Sequence, residues 1–142
     1  MKNMKVAAIA LVLTAVALTA FADRDREKTQ PALAQAASAA SFASRTLSSQ
    51  DLAALIGQPG FYLVDVRTAE EYRAGAIPSA VNIPYDVIAG NLPTQDRNAR
   101  IVVYCRSGNR SGKAKATLDS LGFRNVNNFG PVTNWTGELV RR

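Results

Sequence analysis

Ile101 to Ser111 reads IVVYCRSGNRS, and it limits the possible folds more than any other stretch of the chain. Ile101, Val102, Val103 and Tyr104 are β-branched or aromatic, the composition of a short buried strand. The strand ends on Cys105, the single cysteine in 142 residues. Small and basic residues follow (Arg106, Ser107, Gly108, Asn109 and Arg110) before apolar positions recur at Ala114, Leu118 and Leu121. That spacing predicts a helix over Ser111 to Leu121. A strand, a tight Gly-containing loop and a helix N-terminus gather backbone N–H groups and the positive end of a helix dipole around one sulfur.

Such a cradle favours the thiolate, the reactive form of cysteine. Helix N-termini and neighbouring cations lower a thiol pKa from roughly 8.5 into the range of about 3.5 to 7.5. Arg106, Arg110, Lys113 and Lys115 all follow Cys105 closely. The structural alternative is a small buried hydrophobe at a strand end. The Gly-Asn turn, the basic residues and the helix start favour the reactive thiol.

Residues 1–22 read as an export signal. Lys2 and Lys5 precede an apolar run from Val6 to Thr19, and Ala20-Phe21-Ala22 forms a small-x-small cleavage site, with cleavage expected after Ala22. An uncleaved anchor is the competing reading, but the run falls short of the roughly 20 apolar residues of a membrane span. The expected location is therefore periplasmic or secreted, with no stable membrane association after cleavage. An exported protein ordinarily uses cysteines in disulfides, and an unpaired one suggests a thiol that is used. The chain has no histidine, which removes Cys-His and Ser-His arrangements and most zinc sites. No metal or cofactor is expected. Basic residues outnumber acidic ones 17 to 11, but they are scattered without an aromatic-basic stripe, so no nucleic-acid partner is expected.

Residues 23–44 are Ala- and Ser-rich with few large apolar side chains, which predicts a linker or tail, with a nascent helix as the alternative. A single domain is expected over residues 45–142, as a monomer. Strands are expected at Arg45 to Leu47, Phe61 to Val66, Ala80 to Ile83, Ile101 to Tyr104 and Asn125 to Phe129. Helices are expected at Ser49 to Ile56 behind a Ser48 cap, from a Thr68/Glu71 capping box to Gly75, at Ser111 to Leu121 and at Thr133 to Val140, with one helical turn at Tyr85 to Ala89. This alternation predicts an α/β fold, a mostly parallel central sheet with helices on both faces and ligands at the C-terminal strand ends.

These blocks together resemble the rhodanese-like family in its single-domain exported form. The likeness runs from about Arg45 to Trp135 through Leu63-Val64-Asp65-Val66-Arg67, Glu71-Tyr72 with Gly75, Ile77-Pro78, Asn82-Ile83-Pro84, Cys105 to Ser111 and Leu121-Gly122-Phe123. The resemblance implies that Cys105 takes the outer sulfur of a donor such as thiosulfate, becomes a persulfide, and passes that sulfur to cyanide or a thiol. The chain departs from the family pattern at Ala76, where histidine is common, and at Pro131, where a second glycine is usual.

Thiosulfate is a small dianion, and Arg106, Arg110 and the N–H groups of Ser107, Gly108, Asn109 and Ser111 offer it charge-assisted hydrogen bonds. Arg110 has a competing reading as a solvated surface charge. Two readings also stand for Asp65 and Arg67, ordering of the cradle loop or a structural pair. Trp135 reads as core. Two further functions compete with sulfur transfer, a non-catalytic binding module and a cysteine phosphatase. The phosphatase loop places arginine six positions after cysteine, where this chain has Ser111.

Overall fold

A computed structural model of the chain describes residues 31–142. Four strands form one sheet: Phe61–Asp65 (β1), Val81–Asn82 (β2), Arg100–Cys105 (β3) and Asn125–Pro131 (β4). Their order is β2-β1-β3-β4, and every neighbouring pair is parallel. β1 connects outward to β2, whereas β3 connects outward to β4 on the other side. The carboxyl ends of β1 and β3 therefore flank a topological switch point, the place where open parallel sheets bind ligands.

Period-two alternation along β3 builds both cores. Ile101, Val103 and Cys105 join Val64, Val66, Val126 and the buried Ala114 and Leu118 on one face. Val102 and Tyr104 join Leu63, Phe129, Leu52 and Ile77 on the other. Each fully buried Val, Leu or Ile contributes about 1.5–3 kcal/mol, so central strands apolar on both faces are what this sheet requires. Helix α1 (Ser49–Leu55) and helix α2 (Ala69–Ala74) serve the second face, and helix α3 (Asn109–Ser120) covers the first. This is the expected α/β arrangement.

Both short helices start on reciprocal caps. Asp51 N–H donates to Ser48 Oγ at 3.1 Å while Asp51 Oδ2 accepts from Ser48 N–H at 3.0 Å. Thr68 and Glu71 repeat the arrangement on α2, which ends at Gly75 as its sequence suggests.

Several elements differ from expectation. Helix α3 begins at Asn109 rather than Ser111, because Gly108 adopts the left-handed conformation at φ 92° and turns the chain into the helix two residues early. Arg45 to Leu47 is not a strand; Asn127 Nδ2 on β4 instead donates to the carbonyls of Phe42 and Arg45 at 2.8 and 2.6 Å. The closing helix over Thr133 to Val140 is replaced by a single 3-10 turn, Val132–Asn134. Gly137 disfavours helix, and a Cβ there would fall 2.7 Å from the Trp135 ring, so the chain folds over the indole. Val140 then makes an antiparallel bridge with Ala76 through two bonds of 2.9 and 2.8 Å.

Residues 31–44 of the Ala/Ser-rich segment are helical, in keeping with their alanine content. The packed unit runs from Ser38 to Arg142, and within it Ala39 is buried and Phe42 packs on the second core. The expected export signal, residues 1–22, lies outside the described residues. Among the described residues no helix is long and apolar enough to cross a membrane.

Candidate active site at the end of the third strand

Strand β3 delivers Cys105 to the switch point with its side chain fully buried. The chain then turns through Arg106 and Ser107 and reverses at Gly108, whose N–H donates to Cys105 Sγ at 3.0 Å. Ser111 Oγ lies 3.4 Å from the sulfur and also donates to the Gly108 carbonyl at 3.1 Å. The first intrahelical bond of α3 runs from Gly112 N–H to the Gly108 carbonyl at 3.0 Å. The N–H groups of Asn109, Arg110 and Ser111 therefore lack helical acceptors.

Burial alone pushes the Cys105 thiol up, but the Ser111 hydroxyl and the amides of Ser111, Ser107 and Gly108 outweigh it, and its pKa lies below the ordinary thiol value. These groups all favour the anion by hydrogen bonding. Of the amides over Ser107 to Ser111, those of Ser107, Gly108 and Ser111 bond the sulfur, and Asn109, Arg110 and Ser111 belong to the first turn of α3 rather than to a loop.

The two loop arginines separate. Arg106 is exposed, and among the described residues it makes no ion pair or side-chain hydrogen bond. Arg110 crosses to α2, where its two terminal nitrogens bond Glu71 at 2.7 and 2.8 Å. Neither a free substrate-binding cation nor a solvated charge describes Arg110. The Arg110 guanidinium holds the Glu71 carboxyl down to about 2, against burial and with help from the Thr68 amide. Glu71 was legible in the sequence as a cap, and nothing local to it indicated its second partner across the switch point.

Asp65 and Arg67 form a buried pair. The guanidinium reaches both carboxylate oxygens, with contacts of 2.6 to 3.0 Å, and donates to the Gly75 carbonyl at 2.7 Å. Asn82 Nδ2 bonds the carbonyls of Asp65 and Arg67, both at 3.0 Å, which ties β2 to the same junction. These contacts hold the end of β1 and the entry to α2. They touch no residue of the Cys105 loop, so the structural reading of the pair describes its contacts.

The departure at Pro131 falls beside the thiol. Pro131 is the register partner of Cys105, after a shift between Val103 and Tyr104. A Cβ on Gly108 would lie 3.7 Å from both Gly130 Cα and Pro131 Cδ, so the end of β4 forms a close wall of the cradle. Arg110 also lines a cleft of about 280 Å³, bounded in part by Arg67, Thr68, Tyr85 and Asp86. Among the described residues no cluster of His, Cys, Asp and Glu is composed to hold a metal ion.

An all-parallel sheet that presents one thiol of lowered pKa within a turn of amides at its switch point is an α/β domain with its candidate site where such sheets bind ligands. The model of the rhodanese-like domain matches residues 48–137, and the chain belongs to that family. A putative sulfurtransferase of Bacillus subtilis is 43% identical over 77 residues, covering 54% of this chain and 75% of the relative. The thiosulfate:glutathione sulfurtransferase of Saccharomyces cerevisiae is 30% identical over 107 residues, covering 64% and 77%. Among solved structures, a rhodanese with anions from Escherichia coli superposes with a TM-score of 0.51 at 32% identity, covering 58% of this chain and 99% of that one.

Proposed function

We propose that the chain is a sulfurtransferase that carries a sulfane sulfur as a persulfide on Cys105. The observation that supports this most is the buried Sγ held 3.0 Å from the Gly108 amide at the start of α3. The thiolate attacks the outer sulfur of thiosulfate or a similar donor. A bond forms between the two sulfurs while the donor's S–S bond breaks, and sulfite leaves with the electron pair. The persulfide keeps one negative charge on its outer sulfur, toward which the free amides of the α3 start would converge. Cyanide or a thiolate then attacks that sulfur and regenerates Cys105.

The assigned roles are Cys105 as nucleophile and the amides of Ser107, Gly108, Asn109, Arg110 and Ser111 as the anion cradle. Arg106 is the exposed surface cation that attracts the donor. Arg110 shapes the cradle through Glu71. Location outside the cytoplasm, after cleavage at Ala22, and a monomeric state belong to the same proposal. The phosphatase reading is the weaker one, because position 111 is serine and the guanidinium of Arg110 is already bound to a carboxylate. Initial-rate assay of thiosulfate:cyanide transfer tests the assignment, with activity expected in the wild type and none in Cys105→Ser.

A further inference from the structure

Two successive peptide units, Gly75-Ala76 and Ala76-Ile77, are each held at both ends. In the first, the Gly75 carbonyl accepts from Arg67 Nη2 at 2.7 Å while the Ala76 N–H donates to the Val140 carbonyl at 2.9 Å. In the second, the Ala76 carbonyl accepts from the Val140 N–H at 2.8 Å while the Ile77 N–H donates to the Tyr104 hydroxyl at 3.1 Å. Val140 therefore grips one end of both units, and a buried side chain grips the other. Ala76, Ile77 and Tyr104 are fully buried, so water does not stand in for a lost partner. Tyr104 is the residue immediately before Cys105 on β3.

A peptide unit is planar and stiff, so its carbonyl and its N–H do not move independently. A shift of the Ala76 carbonyl away from Val140 turns the Ile77 N–H on the Tyr104 hydroxyl. The Tyr104 ring is rigid and carries that shift to the last peptide of β3, which holds Cys105. The segment around Val140 is itself anchored to the end of α2. Leu139 lies over the bare Cα of Gly75, where a Cβ would fall 3.4 Å from Leu139 Cβ, and the Arg142 N–H donates to the Arg73 carbonyl at 3.2 Å. We infer that Val140, through its two backbone bonds to Ala76 and the Ile77-to-Tyr104 bond beyond them, is a positioning residue for the Cys105 thiol. This role rests on the sulfur-transfer reading above and adds a residue that lies outside the loop and the strand ends.

The test compares the full chain with Val140→Pro, Val140→Ala, Tyr104→Phe and the double variant of Val140→Pro with Tyr104→Phe. Proline removes the N–H that bonds Ala76, alanine keeps it, and phenylalanine removes the hydroxyl that accepts from Ile77. Thiosulfate:cyanide transfer and hydrogen exchange of the Gly108 amide, the donor to the sulfur, are measured below the melting temperature of each form. Val140→Pro should speed Gly108 exchange and lower kcat/KM on the order of tenfold, less than the roughly 10²-fold of a contact misplaced by about 1 Å. Val140→Ala should match the wild type. Tyr104→Phe should show the same losses, and in its background Val140→Pro should add less than about twofold, because the two act through one hydrogen-bond chain. Should Val140→Pro not fold, Tyr104→Phe decides, and wild-type values there overturn the inference. Both readouts unmoved in folded Val140→Pro, equal losses in Val140→Ala, or effects that simply multiply in the double variant overturn it and leave sulfur transfer standing. A wild type that transfers no sulfur from thiosulfate overturns both.

Discussion

Arg110 and Glu71 stand 39 residues apart in sequence and meet in two hydrogen bonds of 2.7 and 2.8 Å. Through them the first turn of α3, which carries the cradle amides, is fastened to the first turn of α2. The same Glu71 Oε2 that binds Arg110 also accepts the Thr68 amide at 3.1 Å. One carboxylate thus caps one helix and positions the start of another.

This double role makes stability depend on acid in a defined direction. The Glu71 carboxyl titrates at about 2 in the folded chain and near 4.5 when unperturbed. A depressed carboxyl contributes stability that is present above the unfolded pKa and is lost as pH falls through the folded one. The melting-temperature gap between wild type and Glu71→Gln should be full at pH 6 and shrink progressively between about pH 4.5 and 2. Both side chains are about a quarter exposed, so the gap should correspond to only about 1 kcal/mol. A gap independent of pH would show that the clasp is not formed in solution.

The buried pair at the end of β1 should behave differently. Asp65 is fully buried and Arg67 nearly so, and removal of one member strands the other charge. Arg67→Met should cost about 3–5 kcal/mol in urea denaturation, several times the effect at Glu71. A loss below about 1 kcal/mol, the range of exposed pairs, would contradict the burial of this junction.

Gly108 sits at φ 92°, where an L side chain is strained although its Cβ would meet only ordinary contacts at 3.7 Å. Gly108→Ala should therefore cost about 1–2 kcal/mol through the backbone and not through collision. Alanine keeps the backbone N–H that donates to the thiol, so the alkylation pKa of Cys105 should rise in this variant only to the extent that the strained turn moves that amide off the sulfur. An unchanged stability would mean that the turn takes another conformation.

Ser111 supplies the hydroxyl beside the sulfur. Its single hydrogen has two acceptors in reach, the Gly108 carbonyl at 3.1 Å and Cys105 Sγ at 3.4 Å. Ser111→Ala should shift the pH profile of iodoacetamide alkylation upward, because a hydrogen bond to the thiolate is lost. A profile that does not move would assign the hydroxyl to the carbonyl alone.

How far the sequence revealed this arrangement depends on how local each signal is. The strand run ending on Cys105, the two capping boxes and the strand-helix alternation are contiguous patterns, and they led to the sheet, the helix starts and the thiol at a strand end. The early start of α3 was missed because Ala114 and Leu118 mark only the buried stripe, while the entry is set by a left-handed glycine. The segment after Asn134 lost its expected helix to packing of Trp135 over Gly137, which periodicity does not register. Glu71 with Arg110, and Pro131 opposite Cys105, depend on which strands become neighbours, and no spacing along the chain encodes that.

The central claim is that Cys105 carries the transferred sulfur. Intact and peptide-level mass spectrometry after incubation with thiosulfate, without acceptor, measures it directly. The peptide containing Cys105 should gain the mass of one sulfur atom, cyanide should remove that gain with release of thiocyanate, and Cys105→Ser should remain unmodified. A folded protein whose Cys105 is alkylatable but never gains sulfur would contradict the account.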